Sequence, residues 1–84
     1  MITIHKFAAA STVDMPRDAQ ILTLQEQGGL AMIWAIVDTD KPRETRTFRV
    51  VGTGEPLPRY ATRHTYVGTW QQDSFVWHLF EVIL

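Results

Sequence analysis

The chain contains no cysteine, so disulfide staples, thiolate metal sites and cysteine nucleophiles are excluded. It has only two serines, Ser11 and Ser74, and neither lies in a nucleophile-elbow pattern. No apolar run approaches the ~18 residues of a membrane-spanning helix. The first residues lack the charged start and long apolar stretch of a secretory signal. Charge of one sign is also lacking. The net charge of −1 supplies no general field toward duplex nucleic acid or an anionic membrane. What is present is a folding composition: 84 residues, 45% hydrophobic, 11% aromatic and 20% charged. That is too apolar for a disordered tail and long enough for one domain, residues 1–84.

Glycine and proline punctuate the chain densely, at Pro16, Gly28-Gly29, Pro42, Gly52-Thr53-Gly54, Pro56, Pro58 and Gly68. The short runs between them alternate with the period of two that defines a strand. Ile2–Phe7 is the first. Ala8–Asp14 holds three alanines, but Ser11, Thr12, Val13 and the nearby Pro16 argue against a helix, leaving a loop or short strand. Gln20–Gln27 and Leu30–Asp38 flank Gly28-Gly29, the strongest hairpin signal in the chain. In the first of these, Leu22 and Leu24 share one face. Arg43–Val51, Tyr66–Gln71 and Phe75–Ile83 complete the set, with a turn at Gln72-Asp73 and an irregular stretch or single helical turn from Arg59 to His64. The expected fold is mainly β. About six short antiparallel strands form a meander that closes into a small barrel or sandwich, with little helix.

Two of these strands, Leu30–Asp38 and Phe75–Ile83, are apolar on both faces. Antiparallel sheets usually leave one face to water, and no amphipathic helix is available as a cover. The sheet must therefore fold over on itself, pair with another copy, or both, and a homo-oligomer is expected.

Several constellations invite a chemical reading. Asp38-Thr39-Asp40 carries alternate carboxylates, but Lys41-Pro42 follows in place of further oxygen ligands, so turn capping is favoured over metal binding. His78 and Glu81 are three apart, which in a strand points them to opposite faces, so one ion cannot hold both. Gly52-Thr53-Gly54 leads into Glu55-Pro56 and not into a helix, so it is not a dinucleotide fingerprint. It can still bring backbone close to an anion. Residues 41–63 hold six of the eight basic residues against two acids, a local excess of +4, and the remainder carries −5. Arg43 and Arg49 share one strand face. Arg46 shares the other with Phe48 and Val50, an apolar parity that puts it either past the core edge or where two subunits meet, as a charged wall for a pocket. Trp34, Tyr66, Trp70 and Trp77 are core by default, or stacking surfaces if a cavity forms.

The motifs Met15-Pro16-x-x-Ala19-x-Ile21-Leu22, Gln25-x-Gln27, Trp34-Ala35-x-Val37-Asp38, Phe48-x-Val50-x-Gly52-Thr53-Gly54 and Gly68-Thr69 before Phe75-Val76-Trp77-His78-x-Phe80-Glu81 occur in order along the chain. As a set they resemble a family of small bacteriophage proteins of unknown function. The resemblance implies a phage origin and a location in the host cytoplasm, and assigns no catalytic residue.

The residues thus point to a non-enzymatic, oligomeric binding protein without a cofactor. Trp34, Arg46, Arg49, Thr53, Trp77 and His78 are the expected contacts for a phosphate-bearing or nucleotide ligand, whose sequestration would counter a host defence signal. The alternative is a protein–protein interaction factor, either an inhibitor of a host protein or a minor virion component.

Overall fold

A computed structural model describes residues 1–57 and 64–83. They form seven strands and no helix: β1 (Ile2–Ala8), β2 (Thr12–Pro16), β3 (Gln20–Gln27), β4 (Leu30–Asp38), β5 (Arg43–Gly52), β6 (His64–Gln72) and β7 (Phe75–Val82). These build two antiparallel sheets, one ordered β1-β4-β3 and the other β2-β5-β7-β6. The sheets stack as a sandwich and do not close into a barrel. Most of the expected irregular stretch at residues 59–64 lies outside the described residues; its last member, His64, opens β6.

The connectivity departs from a simple meander. The β3–β4 and β6–β7 hairpins are as expected, but β5 pairs with β7 and the chain crosses between sheets three times. The first crossing uses the alanine segment. Ala9 N–H donates to Ala31 O at 2.9 Å in one sheet, and Phe48 N–H donates to Ser11 O at 2.8 Å in the other. Immediately afterwards the seventh strand appears. Val13 and Met15 point into the core, and Pro16 ends β2. Proline is tolerated there because β2 is an edge strand with no ladder bond to lose on its outer side.

Gly28 and Gly29 adopt φ of 61° and 85°, the doubly positive pair that a two-residue hairpin turn needs. The Glu26 carboxylate accepts the Gly29 N–H at 2.5 Å and closes the turn. At the β4–β5 loop, Asp38 Oδ1 accepts Asp40 N–H at 3.0 Å, so this aspartate caps the turn. The Asp40 amide is the main reason the Asp38 carboxyl titrates below its ordinary value.

The core lies between the sheets. Val13, Met15, Ala19, Leu24, Ile33, Ala35, Val37, Phe48 and Leu79 are all buried there. β4 is the central strand of its sheet, with Ile33, Ala35 and Val37 inward and Met32, Trp34 and Ile36 outward. β3 departs from strict alternation. A bulge between Ile21 and Thr23 turns Leu22 out to 45% exposure, whereas Leu24 stays in the core. The shared face expected for these two leucines is therefore split by one extra residue. The sheets approach closely where β3 crosses β6. A Cβ on Gly68 would sit 2.9 Å from Leu24 Cβ, so only glycine fits.

Candidate functional site

The outer face of the four-stranded sheet gathers three of the six expected contact residues. Its register is set by β7, the central partner of β5 and β6. Arg49 pairs with Phe80, which pairs with Tyr66; Val51 pairs with His78, which pairs with Thr69. One row further on, Thr47 pairs with Val82, which pairs with His64. The face is thus a small grid of aromatic, hydroxyl and basic side chains.

His78 sits at the centre of a hydrogen-bonded chain. Its Nε2 lies 2.8 Å from Thr53 Oγ1, and its Nδ1 lies 2.9 Å from Thr69 Oγ1. Tyr66 OH lies 2.5 Å from the same Thr69 oxygen. One direction satisfies every group: Tyr66 donates to Thr69, Thr69 to Nδ1, Nε2–H to Thr53, and Thr53 to Val76 O at 3.4 Å. This fixes the imidazole plane between β6 and the turn that follows β5. Tyr66 lies edge-on to Phe80, with ring centroids 5.6 Å apart, and is 58% exposed. His64 makes a second edge contact with Phe80, at 6.2 Å and 83°.

Arg49 is exposed on this face, with no hydrogen bond or ion pair among the described residues. Arg43 shares the parity of Arg49 and donates to Asp14 O at 2.9 Å. The carboxylate on the β2 and β5 part of this face is Asp14, at its edge and bonded to Thr45. Around Arg49, Tyr66, His78 and Phe80 the face is basic, and no described residue contributes a carboxylate there.

Arg46 faces the interior. Its Nε and Nη2 donate to the two Glu81 carboxylate oxygens at 2.6 and 2.7 Å, and Nη1 donates to Ala19 O at 2.6 Å. The two side chains are 18% and 12% exposed. The hydrogen bond to Glu81 is the main reason the guanidinium titrates above its ordinary value. Arg46 does border a cleft of about 380 Å³, but Asp18, Glu44 and Glu81 line it as well. A cleft with three carboxylates repels phosphate, and the guanidinium is already held by a bidentate partner. The apolar parity of Arg46 therefore reflects an internal ion pair.

The remaining expected contacts lie elsewhere. Trp77 is on the inner face of β7, at the open end of the sandwich, near Trp70, Phe75 and Val50. Its ring centroid is 5.8 Å from that of Phe75. It also lines a cleft of about 560 Å³ that includes Thr53 and Glu55, so Thr53 stands between this cleft and His78. Trp34 is on the outer face of the other sheet. Within one chain, Arg49, Thr53 and His78 come together, Trp77 adjoins Thr53, and Trp34 and Arg46 stand apart.

The sequence reading left Tyr66, Thr69, Phe80 and Glu81 out of the contact set. Phe80 shares strand parity with His78, a signal that was legible. Tyr66 and Thr69 are an odd number of residues apart, which in a regular strand sends them to opposite faces. A bulge between Tyr66 and Gly68 brings them to one face.

The geometry defines a small two-sheet β-sandwich with a basic, aromatic sheet face. The chain belongs to the family described as "Domain of unknown function (DUF7352)", whose profile matches residues 1–83. No curated protein and no solved structure matches it.

Proposed function

We propose that the protein is a non-catalytic binding module. The outer face of its four-stranded sheet takes a ligand carrying both an aromatic base and a phosphate. The observation behind this reading is the pairing of Arg49, which has no partner among the described residues, with exposed Tyr66 across Phe80 on a part of that face to which no described residue contributes a carboxylate. Tyr66 offers a stacking surface, Arg49 a fork for phosphate oxygens, and the Thr53–His78–Thr69 chain a set of fixed hydroxyl and imidazole groups. The open face suits a ligand that lies flat. In the phage setting suggested by the sequence motifs, such binding in the host cytoplasm would sequester a host nucleotide signal.

Calorimetric titration with a panel of linear and cyclic nucleotides tests the reading. Saturable heat whose affinity falls about tenfold in Arg49→Ala and is likewise weakened in Tyr66→Ala supports it. No heat and no thermal shift across the panel would end it.

The apolar outer face of the other sheet favours a second reading, a factor that docks on a host protein. A silent nucleotide panel together with one abundant host protein in affinity capture would select it.

A further inference from the structure

Among the described residues nothing covers the outer face of the three-stranded sheet. β1 sends Ile2 and Ile4 to it, β4 sends Met32, Trp34 and Ile36, and the β3 bulge adds Leu22. Ile2 is 74% exposed, Ile4 55% and Leu22 45%. Ile4, Leu22 and Trp34 border a concavity of about 350 Å³, large enough to receive a side chain from outside.

We infer that a second copy of this chain covers this face, sheet on sheet, about a two-fold axis that passes over the Ile4–Ile36 pair and runs across the strands. Area and charge carry the inference. Ile2, Ile4 and Leu22, each about half exposed or more, join Trp34 in one contiguous apolar face, and two such faces with their polar rims approach the ~1,000 Å² at which a specific protein interface begins. A flat, three-stranded face of this size matches its own copy because stacked sheets align within ~30° and pack ~10 Å apart.

Charge selects the axis. Lys6 lies in the Trp34 row on one side of the Ile4–Ile36 row, and Asp38, whose carboxylate also pairs with the Met1 amino group at 3.5 Å, lies in the Ile2 row on the other. Rotation about an axis across the strands at the Ile4–Ile36 row exchanges those rows. Lys6 of one copy then comes over the Asp38 end of the other, at both ends of the interface. An axis along the strands over β4 would instead set Asp38 against Asp38 and Lys6 over the uncharged Thr23. Gln25 and Gln27 on β3 provide an uncharged polar rim. Trp34, near the centre, is the anchoring aromatic, the residue type that most often dominates binding energy.

Sedimentation equilibrium of the full chain, at concentrations up to about 1 mM, tests the assignment, since an interface of this size is expected to hold in the micromolar range. The expected result is a dimer. Ile4→Arg places like charges beside the axis and should weaken dimerisation about a hundredfold or more. Because Ile4 is exposed, the far-UV circular dichroism spectrum of that variant should match wild type. Lys6→Glu should weaken the dimer about tenfold through like-charge contact with Asp38. A wild-type chain that is monomeric at the highest concentration would overturn the proposal and leave the face to a different protein. So would a dimer that Ile4→Arg does not change.

Discussion

Arg46 and Arg49 are three residues apart on β5 and face opposite sides of the same sheet. One is closed inside by a bidentate carboxylate and a backbone carbonyl. The other projects into solvent beside Tyr66 and His78. Identical chemistry is therefore structural on the inner face and available on the outer one. A basic run in a sequence is not in itself a binding patch. Strand parity divides it, and the carboxylates across the ladder decide which half is left for a ligand.

This contrast can be broken most forcefully at Arg46. Arg46→Ala leaves the Glu81 carboxylate, 12% exposed, without its partner. The loss should be about 2–4 kcal/mol, read as a lower denaturant midpoint, because an orphaned, largely buried charge costs more than the pair contributes. Replacing both groups, as Arg46→Met with Glu81→Leu, should recover most of that loss. If Arg46→Ala proves as stable as wild type, the pair is not structural.

Next in size is the contact between sheets. Gly68→Ala drives a Cβ against Leu24, and the resulting overpacking should cost about 1–3 kcal/mol in thermal or chemical unfolding. In the β3–β4 turn, Gly29→Val forces a branched residue to φ near 85°, at a cost of about 1–2 kcal/mol. Neither variant should alter the outer-face chemistry. Arg49→Ala is the counterpart, with stability expected to remain within about 0.5 kcal/mol of wild type, as for most exposed positions.

The smallest effect concerns the start of β1. The Met1 amino group is bonded to Asp40 at 3.0 Å, which raises its titration above the ordinary 8.0. That contribution is fully present below pH 8.0 and is lost as pH rises through the raised value. Asp38, lowered from 3.8, contributes above that pH and loses its contribution as pH falls through the lowered value. Protection of the first β1 amides, taken relative to their intrinsic exchange at each pH, should therefore be greatest between these limits and fall on either side. Uniform protection across the range would contradict this.

Much of the scaffold was legible because period-two alternation and turn residues coincide. The bounds of β3 and β4 follow directly from Gly28-Gly29. β2 was half legible: Ala8–Asp14 reads as a loop or short strand, and Ala8–Ala10 and Pro16 blur the bounds of a five-residue strand that pairs with β5. The two bulges were invisible for a physical reason. One inserted residue reverses parity downstream, and nothing in the local sequence marks it. They turned Leu22 outward and brought Tyr66 and Thr69 together. The Arg46–Glu81 pair did leave a trace. Each is a charge at apolar parity, Arg46 beside Phe48 and Glu81 beside Leu79, and Phe48 and Glu81 prove to be register partners. Two such misfits of opposite sign are a better signal of an internal ion pair than of a ligand site.

The most direct test titrates one nucleotide panel into wild type, Arg49→Ala and the Arg46→Met/Glu81→Leu double variant. The account predicts saturable heat for wild type, about tenfold weaker binding for Arg49→Ala, as expected for loss of a charge-assisted phosphate contact, and unchanged affinity for the double variant. Retained binding in Arg49→Ala with loss in the double variant would place the ligand on the inner face and contradict it.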